Sequence, residues 1–154
     1  MAWYVKFDGS DGSAQHKDHK AWCNASRVNM SGHKAGGGGT GVGRVGGKMH
    51  LDDINVGIVT DKALPKLLEA AVKGQVFKKV EIHGTATYGN AGEQVYLGLE
   101  LENVQITNYQ LGVLDNDDAT DDMSMSLNFE KYKSTFTAYT KDGKSDGKVE
   151  HEWK

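Results

Sequence analysis

The chain has one cysteine, one proline and no apolar run long enough to cross a bilayer. With Cys23 alone there is no internal disulfide, so packing must hold the fold, and folding in a reducing compartment is expected. The start, MAWYVKFDG, lacks a basic segment followed by an apolar stretch, so no cleaved signal is expected and any export needs another route. Large aliphatics and phenylalanine are scarce: Leu, Ile, Val and Phe make about 20% of the residues, the border at which chains begin to fail to fold alone. Excess positive charge is also missing. The 18 basic and 21 acidic residues give a net charge of -3, which argues against a nucleic-acid partner gained by counterion release and against a membrane surface.

The usual catalytic sets are missing as well. There is no GxSxG for a serine nucleophile, and Cys23 has no identifiable histidine partner. His16, Asp18 and His19 stand close in sequence, but no second pair at ligand spacing completes a metal site, and His33, His50, His83 and His151 read as scattered surface residues. The acidic run DNDDATDD at 115–122 lacks the sixth-position glycine and final glutamate of a calcium loop. The expectation is a protein that is not an enzyme and takes no metal and no cofactor.

Glycine is the exception to this scarcity. Nine of the twenty fall between Gly32 and Gly47, so the excess is one local loop in an otherwise ordinary chain. Gly41, Gly43 and Gly46 spell GxGxxG, yet a dinucleotide site needs a helix to follow, and KMHLDDINVGIV reads as strand. Lys48 is followed by Met49 and has no glycine six residues earlier, so the phosphate loop of nucleotide hydrolases fails too. Glycine allows two backbones to approach closely, which suits a loop that gains its order against a neighbouring subunit.

Most of the remainder alternates with period 2, the mark of strands with one buried face. Trp3, Val5 and Phe7 begin it, Val80, Ile82, Gly84, Ala86 and Tyr88 continue it, and Val95, Leu97, Leu99 and Leu101 run on odd positions. Val104 and Ile106 resume on even ones, which predicts a bulge or corner near Glu102 and Asn103. A second slip, from Met123, Met125, Leu127 and Phe129 to Tyr132, Ser134, Phe136 and Ala138, predicts another long strand that changes face midway. Strands of this kind let a sheet curl into a barrel. Asp8-Gly9, Asp11-Gly12, Asp142-Gly143 and Asp146-Gly147 read as sharp turns. Between Asp61 and Gly74, Leu64, Leu67, Leu68, Ala71 and Val72 predict a short helix, with Asp61 as cap, Pro65 in the first turn and Gly74 as the stop. No composition shift divides residues 1–154, so a single domain is expected: a mainly β fold, a small barrel of two packed sheets with one flanking helix. In CNASRVNMS, Arg27, Asn29 and Ser31 form a polar face opposite Val28 and Met30, which suits a wall lining bulk water or the lumen of an assembly.

Several segments, taken in order, resemble the haemolysin-coregulated protein (Hcp) family, the tube component of bacterial type VI secretion. They are YVKFDG, KDHKAW, the glycine-rich stretch ahead of the strand at 48–59, TDKALPKLLEAAVKG, GEQVYLGLELENVQITNYQLG, SMSLNFEKYK and a DGK-rich turn before a last strand ending in Trp153. The resemblance implies a hexameric ring, rings stacked into a tube, a contractile sheath and spike as partners, and effector proteins held in the lumen. It implies assembly in the bacterial cytoplasm and later delivery to the extracellular space or a target cell. Arg27, Asn29 and Ser31 would then face the lumen and its effectors. The loop of about 32–48, with Gly36, Gly37, Gly38, Gly39, Gly41, Gly43, Arg44 and Lys48, would touch a neighbouring subunit or ring. The alternative is a monomeric ligand-binding β-barrel, which would need an apolar internal cavity.

Overall fold

A computed structural model of the chain describes residues 2–34, 49–89, 92–112 and 122–153. The glycine positions 36–39, 41 and 43, with Arg44 and Lys48, lie outside the described residues, as does nearly all of the acidic run. The strands in chain order are β1 (Ala2–Phe7), β2 (Cys23–Asn29), β3 (Gly32–His33), β4 (His50–Leu51), β5 (Ile54–Val59), β6 (Val76–Tyr88), β7 (Gly92–Gly112), β8 (Asp122–Asn128), β9 (Lys131–Tyr139) and β10 (Ser145–Trp153). One helix, α1 (Leu64–Lys73), lies between β5 and β6.

The main sheet runs β10-β9-β7-β6-β1-β2-β5-β8, and β8 also pairs with β7. That second pairing closes β7, β6, β1, β2, β5 and β8 into a six-stranded antiparallel barrel, while β9 and β10 extend from β7 as a wing. Closure removes open sheet edges around the barrel. Strand β7 permits both arrangements because it bends. Its first half pairs with β6 and β9, its last part with β8. The corner falls at Asn103, whose φ of 53° is left-handed, where the alternation slips. Glu130 N–H donates to the Glu102 carbonyl at 3.1 Å, and Asn103 Nδ2 donates to the Glu130 carboxylate at 2.8 Å, so the two slips in the sequence meet at one corner.

Four local expectations need correction. The second slip is a break between two strands, with Phe129 and Glu130 outside both, because β8 must close the barrel while β9 leaves it. Asp61 is not the helix cap. Ala63 holds that position, and Asp61 instead accepts the Ala63 N–H at 2.8 Å on Oδ1 and the Ser13 N–H at 3.0 Å on Oδ2, tying the helix entry to the loop after β1. Pro65 in the first turn and the left-handed Gly74 at the stop are as expected. Asp11-Gly12 is not a turn but a close approach, since a Cβ on Gly12 would lie 2.5 Å from the Trp22 carbonyl oxygen. Gly147, with φ of 118°, sits at a bulge within β10 rather than between strands.

The inward faces fill the barrel. Val5 and Phe7 pair with Ile82 and Val80, which pair with Leu99 and Leu101; Ile54, Val56 and Ile58 pair with Leu127, Met125 and Met123. All of these are buried. Leu67 and Ala70 of α1, with Leu64 and Leu68 partly buried, cover this core. The interior is thus packed with side chains, which removes the cavity that a ligand-holding barrel would need.

Candidate functional site

The outward side of β2, β5, β8 and the end of β7 forms one continuous polar wall. Strand register explains it. Asn29 stands opposite Asn55, Asn55 opposite Ser126, and Ser126 opposite Asn108, giving one polar row across four strands. The next row runs Arg27, Gly57, Ser124, Gln110. Since alternate residues share a face, both rows point away from the packed Ile54, Val56, Met123 and Met125.

Hydrogen bonds hold the rows in place. Gly57 puts no side chain between its neighbours, so the Arg27 guanidinium reaches over it and donates to the Ser124 hydroxyl. Ser126 donates to Asn55 Oδ1 at 2.6 Å. At the border, Asp53 accepts from Thr107 Oγ1 at 2.6 Å and from Asn128 Nδ2 at 2.9 Å. A shallow depression of about 260 Å³ lies on this wall, lined by Arg27, Asn29, Asn55, Asn108, Gln110 and Ser126 among others. The wall offers amide and hydroxyl groups and one guanidinium, which suits polar protein surfaces better than apolar ligands.

Of the residues expected here, Arg27 and Asn29 share the wall. Ser31 does not. It lies at the base of the glycine-rich loop, donating to Asp52 Oδ2 at 3.2 Å beside His33, whose Nδ1 lies 3.0 Å from Asp52 Oδ1. The shift follows from the end of β2 at Asn29, beyond which the strand's alternation no longer holds Ser31. Sequence reading missed Asn55, Asn108, Gln110, Ser124 and Ser126. For Asn55, Ser124 and Ser126 the signal was present as the polar complement of the apolar alternation in INVGIV and DMSMSLN, and for Asn108 and Gln110 as the alternation after Ile106 in ITNYQLG.

A second feature is the inner face itself, which does not stop where the barrel closes. Leu97, Leu99 and Leu101 pair with Phe136, Ser134 and Tyr132 of β9, and Phe136 and Tyr132 pair with Val149 and Trp153 of β10. The apolar row therefore runs onto the wing, where Phe136 is 50% exposed and Val149 71%. Cys23 takes no part in either surface. It is fully buried, and burial, with lesser effects from Asp61 and Asp11, pushes its thiol up to about 12, so no thiolate is available at neutral pH.

The chain thus combines a filled six-stranded barrel, a polar outer wall and an apolar face that runs on to the exposed wing. The family described as "Type VI secretion system effector, Hcp" matches residues 4–136, and the chain belongs to that family. Among solved structures, one described as a type six secretion system protein has a TM-score of 0.86 at 22% identity, covering 99% of this chain and 94% of that one. A type VI secretion system effector from Yersinia pestis gives 0.75 at 18% identity, covering 98% of each chain. Hcp1 from Salmonella typhimurium gives 0.77 at 17% identity, covering 99% of this chain and 95% of that one. At these identities the likeness establishes the barrel fold. Among curated proteins, none matches.

Proposed function

We propose that this chain is a structural tube subunit of a type VI secretion system, with residues 1–154 acting as one unit that joins five copies in a ring. Rings stack into a hollow tube, effector proteins ride in the lumen, and the tube is itself exported. The observation that carries this reading is the apolar inner face left uncovered on β9 and β10. A monomer gains nothing by exposing Phe136 and Val149 on a well-formed hairpin, whereas a ring buries them against the next copy. The glycine-rich loop of about 32–48 is assigned to the contact with a neighbouring subunit or ring. The polar wall around Arg27 and Asn29 is assigned to the lumen, where amides and hydroxyls hold protein cargo by many weak, exchangeable hydrogen bonds.

Light scattering across a wide concentration range, with negative-stain images, tests the ring. Rings six subunits around are expected, and monomer at every concentration would refute the reading. Replacing Asn29 with Glu is expected to leave rings intact and to reduce effector co-purification. Unchanged cargo recovery would remove Asn29 from the lumen.

A further inference from the structure

Two histidines of the segment joining β1 to β2, His16 and His19, are hydrogen-bonded in a line with His83 of β6, which read as scattered in the sequence. Glu93 Oε2 lies 2.9 Å from His16 Nε2, His16 Nδ1 lies 3.1 Å from His19 Nδ1, and His19 Nε2 lies 2.9 Å from His83 Nδ1. His19 is 2% exposed, stacked on Tyr4 at 4.5 Å and edge-on to Trp22 at 4.7 Å. Thr85, also buried, places its hydroxyl against the Glu93 carboxylate and the Ala2 carbonyl. This is not a metal site. The two neighbours of His19 use its opposite ring nitrogens, so no one point lies within bonding reach of all three rings, and no metal-competent cluster occurs among the described residues.

With all three rings neutral, one proton arrangement makes every contact a hydrogen bond. The Glu93 carboxylate only accepts, so His16 carries its proton on Nε2, and its bare Nδ1 also accepts the Asp18 N–H at 3.3 Å. His19 must then donate from Nδ1 to His16 and accept on Nε2 from His83 Nδ1–H. The donors all point one way, from His83 through His19 and His16 to Glu93. A further proton on His19 Nε2 would face the His83 Nδ1–H across 2.9 Å unless His83 shifted its own proton to Nε2, and in either case the charge would sit on a ring that is buried between Tyr4 and Trp22. The buried middle ring, His19, is the one on which a charge is most costly.

The segment it holds is under strain. Ala21 has φ of 68°, a left-handed conformation that alanine adopts only when its surroundings impose it. Gly12 N–H bonds the Ala21 carbonyl at 2.7 Å, and Ala21 N–H bonds the Ala14 carbonyl at 3.1 Å, so the segment folds back on itself over the outer faces of β1 and β6. Its own apolar anchors are Ala14 and Trp22, both buried against Tyr4.

We propose that the Glu93–His16–His19–His83 chain is an acid-sensitive latch that clamps residues 11–22 to the barrel at neutral pH and releases them on acidification. Burial first, then the neighbouring His83 and His16, lower the His19 pKa to about 4, against opposing attraction from Asp18 and Glu93. Burial likewise lowers His83, opposed by Glu81 on its own strand. The other charges near the chain are Lys6, 6.0 Å above the Trp22 ring, and Glu100, Lys133 and Lys148, which line the open groove on the far side of His83. Once the segment lifts, His19 regains an ordinary pKa near 6.5 and takes up a proton that the closed form refuses, so opening grows as pH falls from about 6.5 toward 4.

For His19 alone, linkage predicts about a thirtyfold rise in the opening constant between about pH 7.5 and about pH 5. Hydrogen exchange of the full chain, corrected for intrinsic rates, reads it directly. Amides of 11–22 are expected to lose about that factor of protection at the lower pH while those of Val80 and Ile82 keep theirs. His19→Gln, whose amide can donate to His16 and accept from His83 without titrating, is expected to abolish the dependence. Unchanged protection in the native chain, or a full-sized drop in H19Q, overturns the latch. Should H19Q be open already at neutral pH, nitrogen-15 histidine spectra of the native chain decide. His19 charging together with loss of protection supports the latch, and His19 charging while 11–22 stays protected overturns it.

Discussion

The barrel and the wing share one face and differ in what covers it. Leu101 and Val80 are fully buried, while Val149, two strands away in the same sheet and on the same face, is 71% exposed. Both regions follow the same alternation of apolar and polar residues, so local sequence rules do not separate them. Closure does. The pairing of β7 with β8 folds one part of the sheet over itself and leaves β9 and β10 outside. An apolar face that satisfies the strand pattern but not the monomer's packing marks where a second surface belongs.

The largest way to break this contrast is within the barrel. Leu101→Ala is expected to cost about 2–5 kcal/mol of unfolding free energy, because it opens a cavity among Val80, Phe7 and Ile82 that the closed sheet cannot collapse into. Urea titration checks it, and a loss comparable to a surface substitution would show that the barrel is looser than its burial implies. Next comes the tie between loop and helix. Asp61→Ala removes two carboxylate acceptors from the N–H groups of Ser13 and Ala63, with an expected cost of about 1–3 kcal/mol in the same titration.

Asp61 also shows what a sequence can and cannot disclose. Its position before Leu64 and Pro65 made it a plausible cap, and the helix, its proline and its glycine stop were legible from spacing alone. That it also holds Ser13, 48 residues away, was not, since nothing in a local window records which loop returns to meet it. The corner at Asn103 was legible because a face change forces a break in period. The break between β8 and β9 produced the same signal from a different cause. Arg27 and Asn29 were legible as polar residues opposite Val28, but their row partners Asn55, Ser126 and Asn108 required the register across three further strands. The histidine chain is the extreme case: His16 and His19 lie three residues apart, His83 is 64 residues from His19, and only the fold over β6 joins them.

The smallest expected effect on folding is the one that sharpens the comparison most. Phe136→Ser together with Val149→Ser removes the two most exposed apolar side chains of the wing face. In the monomer Val149 stands largely in water and Phe136 is half exposed beside Tyr96, so the unfolding midpoint should shift by no more than the equivalent of about 1 kcal/mol. In a ring the same two positions would lie in a contact from which water is excluded, and the loss there is multiplied because each subunit uses the surface once. Light scattering should therefore show the double variant as monomer at concentrations where the parent forms rings, while its urea curve overlays the parent's monomer curve. A midpoint that falls as far as in Leu101→Ala would mean that the wing face belongs to the monomer's own core. Rings that persist unchanged would place the subunit contact elsewhere and leave the wing face for another partner.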